Sequence, residues 1–237
     1  MIPVNWFDTV IISFLNQVAG RSWSFDTAVQ AVQNTHLPEE VLLMACWWTW
    51  FHYDGEAASQ TRETMVVSVV AVFLAVGLSI LLLPWFPSYG RPLQAGALAR
   101  LPFGVSPDTR VHASFPSHHA MVASVLVVGL FLASRATGVA AALYSVAIIG
   151  VPPVYLGLHY PTDILGGAVL GITIGGVLNV PAIRRVMAAR RVVAFAARQP
   201  AIFYAVAFLV TLQVATLFDD AGPVGRWLIA VVRALRL

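Results

Sequence analysis

Long stretches of this chain run without a single aspartate, glutamate, lysine or arginine, among them Thr64 to Gly90, Ala136 to Thr162, Ile164 to Ile183 and Gln199 to Phe218. Crossing the hydrocarbon core of a bilayer takes roughly 20 apolar residues, and each stretch supplies about that many. A soluble domain breaks such runs with charged faces. Here 59% of residues are hydrophobic, only 11% are charged, and the mean hydropathy is +0.79. Lipid is therefore the solvent to reason with. The expected fold is all-α: a polytopic membrane helical bundle of about six transmembrane helices, preceded by interfacial helices.

Residues 5 to 18 and 23 to 34 are amphipathic and too short to span, which predicts interfacial helices joined at Gly20. The spans are expected at about 38–53, 63–84, 117–134, 138–158, 163–182 and 200–218. A proline- and glycine-containing loop fills 85–115, and residues 223–237 read as a short amphipathic tail with Arg226, Arg233 and Arg236. One membrane-embedded domain over 1–237 follows, with 1–35 interfacial and 60–182 carrying the motifs. Met1 to Asn5 has no basic region and Asp8 interrupts the apolar run behind it, so no cleaved signal peptide is expected. Cys46 is the one cysteine, which excludes an intramolecular disulfide and a thiolate metal cage.

Arg184, Arg185, Arg190, Arg191 and Arg198 crowd the connection before the last span. Such a dense cluster belongs on the cytoplasmic side. Alternation then places residues 85–115, the 158–163 turn and both termini outside. Counting all 14 basic residues, every one an arginine, gives seven on each side, so the dense loop decides. A net charge of +3, thinly spread, does not suit a nucleic-acid partner. Gly167, Gly171 and Gly175 put three small residues on one face of the fifth span, where a neighbouring helix can approach closely.

Three polar pieces fall on the same membrane face: Gly90-Arg91-Pro92, Phe115-Pro116-Ser117-His118-His119 and His159-Tyr160-Pro161-Thr162-Asp163. Ser117 reads as a helix N-cap, and the unpaired amides behind it form an anion site with the helix dipole. Arg91 offers a planar bidentate contact to phosphate oxygens. His119, in the first turn, is placed to protonate a leaving oxygen. His159 is placed to attack phosphorus, and Asp163 to hold its other ring nitrogen. His36 and His52 read as interfacial residues instead, and two histidines with one aspartate fit phosphate better than a metal, so no metal and no cofactor are expected.

These pieces resemble the type 2 phosphatidic acid phosphatase superfamily, whose pattern is K-x6-R-P, then P-S-G-H, then S-R-x5-H-x3-D. YLGLHYPTDILGG matches in wording and spacing, and FPSHHA is close to the variant of undecaprenyl-diphosphate phosphatases. The resemblance implies that His159 forms a phosphohistidine, Asp163 orients it and His119 is the general acid. It implies phosphate binding by Arg91, Ser117 and the amide of His118. Two cations of the pattern are replaced: its lysine falls on Pro84 and its Ser-Arg on Pro152-Pro153. His118, Arg110, Arg100 and His112 are the candidates to make up the loss, with Arg110 and His118 taken as substrate-binding.

The expected activity is hydrolysis of a lipid phosphate or polyprenyl diphosphate at the outer face of a bacterial inner membrane. A catalytically degenerate lipid-phosphate binder or transport partner is the alternative from another class, and lipid-to-lipid phosphotransfer is a third. The partner in each case is a membrane lipid; the sequence leaves its identity and the oligomeric state open.

Overall fold

A computed structural model describes residues 5–82, 90–106 and 114–216. Pro84, Arg110, His112 and the tail 223–237 lie outside the described residues. Every regular element among the described residues is helical. They are α1 (Trp6–Asn16), α2 (Trp23–Gln33), α3 (Leu37–His52), α4 (Gly55–Leu82), α5 (His118–Ala133) and α6 (Arg135–Tyr144). After a π-helical turn (Ser145–Gly150) come α7 (Val151–Tyr155), α8 (Pro161–Leu178), α9 (Pro181–Val186), α10 (Ala189–Arg198) and α11 (Pro200–Ala215).

Three of these helices are long and apolar enough to cross a membrane: Gly55–Leu81, Arg135–Tyr155 and Pro161–Leu178. Helices α1, α5 and α11 are apolar but shorter. At 1.5 Å per residue, the 16 residues of α3, α5 and α11 fall short of a hydrocarbon core about 30 Å thick. The anticipated six crossings are thus matched at full length by three. Large apolar side chains such as Leu143, Val146, Val169, Ile172 and Leu209 are exposed on the outside of the bundle. Water would penalise that surface and lipid does not.

Two boundaries differ from expectation. Helix α4 begins at Gly55, well before residue 63, because Glu56, Arg62 and Glu63 extend it as a polar first stretch outside the apolar run. The arginine-rich connection is largely helical as α9 and α10. In α10, Val193 and Ala196 pack on the core while Arg190 reaches Glu63 of α4 at 3.5 Å. Arg184 donates to Thr64 at 3.0 Å, so α9 is tied to the same end of α4.

The core is α5, whose Met121, Val122, Val125, Leu126 and Leu130 are fully buried. It runs parallel to α8 and antiparallel to α4. A Cβ added at Gly167 would lie 2.3 Å from the Ser117 carbonyl oxygen, and one at Gly171 would lie 2.2 Å from that of Met121. The glycine face therefore brings the α5 and α8 backbones into contact and sets their N-termini side by side.

Helices α1 and α2 are fastened to that end by two buried carboxylates. Asp8 of α1 accepts from Thr162 N at 2.9 Å and Thr162 Oγ1 at 2.8 Å, capping the start of α8. Asp26 of α2, fully buried, accepts from Tyr155 Oη, Gly20 N (3.0 Å) and Phe103 N (2.8 Å). Each satisfied donor offsets the cost of burying a charge.

Candidate active site

His159 is delivered by the end of α7. Gly157, at φ +71°, closes a Schellman motif: Gly157 N donates to Val154 O at 3.1 Å and Leu158 N to Pro153 O at 2.8 Å. His159 N also donates to Pro153 O, at 3.3 Å. The proline pair thus holds the backbone of His159 through a carbonyl. Pro152 and Pro153 cannot donate back along the helix, and their rings crowd the preceding turn. The chain answers with the π-turn at Ser145–Gly150, where Val151 N bonds Val146 O. Both prolines are buried, and no cation occupies their positions.

Gly157 does a second job. Its carbonyl accepts from Leu93 N at 2.9 Å, and a Cβ there would meet Leu98 Cδ1 at 2.7 Å. The loop carrying Arg91 is therefore stitched to the loop carrying His159. Arg91 itself opens a turn, its carbonyl accepting from Gln94 N and Ala95 N at 3.0 Å each.

Asp163 sits in the first turn of α8 and is fully buried. Its Oδ2 accepts from Tyr160 N at 2.7 Å and from Ser114 Oγ at 2.5 Å, and stands 3.5 Å from His159 Nδ1. Nδ1 faces the carboxylate, which leaves Nε2 as the nitrogen with an available lone pair. Ser117 caps α5, its Oγ accepting from Ala120 N at 3.5 Å, and Ser117 N donates to Asp163 O at 3.2 Å. The α5 amide terminus and the His159–Asp163 pair are one connected unit.

His119 lies within electrostatic reach of His159, His118, His36 and Arg91. His118 places Nε2 3.2 Å from Ser79 Oγ of α4. Ser79 gives its own proton to Val76 O at 2.8 Å, so it accepts from His118. The side chain of His118 is therefore turned toward α4. Arg100 is exposed, with its backbone pinned to Asn16 (2.8 and 2.7 Å), and Arg110 falls outside the described residues. Tyr160 lines the same end, and burial with the charges of Asp163 and Asp8 pushes its phenol above the ordinary range. Among the described residues no cluster of three histidine, cysteine or carboxylate side chains could hold a metal.

The structure thus gathers His119, His159, Asp163, Ser117 and Arg91 at one end of the bundle. Sequence reasoning did not find Ser114, Asp8 or Asp26, because a hydrogen bond to a residue 49 to 154 positions away has no local signature.

Comparison with known families decides the lineage: the model of the PAP2 superfamily matches residues 35–184. The chain belongs to the PAP2 superfamily. The match takes in all three polar pieces of the site. Two curated relatives carry the name decaprenylphosphoryl-5-phosphoribose phosphatase, from Mycobacterium tuberculosis strains CDC 1551 / Oshkosh and H37Rv. Each is 36% identical over 77 residues, which is 32% of this chain and 41% of the relative. The alignment therefore spans less than half of either relative. No solved structure matches.

Proposed function

We propose that this PAP2 protein hydrolyses a lipid-linked phosphate or polyprenyl diphosphate at the outer face of a bacterial inner membrane, through a phosphohistidine on His159. The observation that carries the reading is the His159–Asp163 pair at 3.5 Å, joined through Asp163 O to the N-cap of α5. His159 Nε2 attacks phosphorus while the bond to the leaving oxygen breaks and His119 gives that oxygen its proton. Asp163 stabilises the positive charge that develops on the ring. Water then attacks phosphorus, His119 takes the water's proton, and the P–N bond breaks to release phosphate. The α5 amides and Arg91 hold the equatorial oxygens in place. The name of the mycobacterial relatives describes a phosphate on a polyprenyl-linked sugar, and a substrate of that class is the one we expect.

The test is phosphate release by purified protein from a polyprenyl-linked sugar phosphate, polyprenyl diphosphate, phosphatidate and phosphatidylglycerol phosphate. Wild type should release phosphate from at least one, and His159→Ala from none. Equal, negligible release by both proteins on all four would sink the reading. The buried Pro152-Pro153 favours one competitor, a lipid-phosphate binder that performs no chemistry. That reading predicts lipid binding unchanged in His159→Ala and no phosphate release by wild type.

A further inference from the structure

We propose that the end of the bundle remote from the reacting groups binds an anionic phospholipid, with a chain in an apolar cavity and the headgroup on arginines at its mouth. The inference goes beyond the reaction above and does not depend on it. Helix α11 packs chiefly on α3 and α10 rather than on α4. What lies between these helices is a cavity of about 470 Å³, within the roughly 300–1,000 Å³ typical of ligand sites. Its walls include Trp47 and Trp50 of α3, Met65 and Val69 of α4, and Phe203 and Val206 of α11. The hydroxyls on the wall, Ser68 and Thr211, donate to the carbonyls of Thr64 and Ala207 on their own helices, at 2.9 Å each. An apolar space whose polar groups are already satisfied does not attract water, and hydrocarbon fits it.

Shape and charge select the occupant. Along α11 the lining runs from Ile202 to Thr211, about 14 Å at 1.5 Å per residue, or one leaflet of a core about 30 Å thick. The wall continues onto Phe195 of α10. Arg191 and Arg198 stand four residues before and three after Phe195, so they share its face of the helix, and both are exposed. Arg62 of α4 lies over the Trp50 ring, 5.7 Å from its centre, and donates Nε to Trp50 O at 3.1 Å. The rest of its guanidinium is left for another acceptor. Among the described residues no carboxylate pairs with Arg62, Arg191 or Arg198; the ion pair at this end joins Arg190 to Glu63. Seven of the chain's 14 arginines belong to this end, against Asp54, Glu56 and Glu63. Such a surplus attracts an anionic headgroup, and arginine stems can lie on apolar surface while their charged ends stay at headgroup level. On α4 the lining begins at Met65, about 21 Å before Ser79, which meets His118. The lipid therefore comes from the leaflet opposite the reacting groups.

The test is native mass spectrometry of the full chain in detergent, with dioleoyl phosphatidylglycerol or dioleoyl phosphatidylcholine added. Both lipids are phosphodiesters, so neither offers the catalytic end a phosphate monoester. Wild type should hold one phosphatidylglycerol about tenfold or more tighter than phosphatidylcholine. Glycerophosphoglycerol, the same headgroup without chains, should not compete. R191Q/R198Q should weaken phosphatidylglycerol about thirtyfold, at roughly fivefold per arginine near a membrane surface. R135Q, at the same end but on α6, should change it less than twofold. A207W fills the cavity and should weaken both lipids. A diazirine on the phosphatidylglycerol chain should photolabel the α3 and α11 peptides that line the cavity; this map and the wild-type preference decide the matter even if A207W does not fold. Equal retention of the two lipids by wild type, competition by glycerophosphoglycerol, or label spread over the lipid-facing sides of α6 and α8 overturns the proposal. So does a dimer in place of bound lipid, which would assign the face to a second copy of the chain.

Discussion

Gly167→Ala tests the packing that assembles the site. The added Cβ would stand 2.3 Å from the Ser117 carbonyl oxygen, where ordinary contact begins at 3.4 Å. The deficit, 3.4 minus 2.3, is 1.1 Å, and both partners are backbone, so no side chain can swing away. Helix α5 must move off α8 by about that distance. The Ser117 N to Asp163 O bond, already 3.2 Å, does not survive such a shift. Overpacking of this kind costs about 1–3 kcal/mol of stability. Displacing reacting groups by 1 Å costs on the order of a hundredfold in rate. The assay pairs Gly167→Ala with Gly176→Ala, where an added Cβ meets nothing within 4 Å. Phosphate release and thermal unfolding in detergent are measured on both. Gly167→Ala should lose about a hundredfold in kcat and unfold earlier; Gly176→Ala should match wild type or gain up to about 1 kcal/mol from helix propensity. Wild-type behaviour of Gly167→Ala, or equal damage from both, would refute the reasoning.

Ser114→Ala removes a buried donor to the Asp163 carboxylate, worth about 1.5–3 kcal/mol, so kcat should fall about ten- to a hundredfold in steady-state assays of a protein that still folds. Asp8→Ala takes the cap from α8 and should lower stability by about 1 kcal/mol, read as a lower Tm in detergent. Tyr155→Phe leaves Asp26 with its two backbone donors only; limited proteolysis should then cut the α1–α2 region faster, because α2 loses its side-chain hydrogen bond to α7.

Much of this architecture was legible because hydrocarbon tolerates so little. Charge-free runs locate the α6–α7 segment, α8 and α11 within a few residues and the apolar part of α4, and the glycine spacing of α8 announces its contact with α5. The polar pieces stood out for the same reason: a His-x3-Asp at the end of an apolar run has few other uses. What stayed hidden depends on distance rather than on pattern. The polar start of α4 and the helix of α10 lie outside hydrocarbon, where the charge-free criterion says nothing. Pro152-Pro153 read as the loss of a cation; the structure shows that Pro153 also gives a carbonyl to His159 N, a role that any residue type can fill. Glu39 and Glu40 are indistinguishable as letters, and only the fold separates them, burying Glu39 and leaving Glu40 exposed.

The central claim is that His159 carries the phosphoryl group between lipid and water. Rapid acid-free quenching of wild type with a ³²P-labelled lipid phosphate, followed by peptide mapping, tests it directly. The account predicts an acid-labile label on the peptide containing His159, absent from His159→Ala and persisting longer in His119→Ala. Steady turnover by wild type with no label at His159, or a label that survives in His159→Ala, would contradict it.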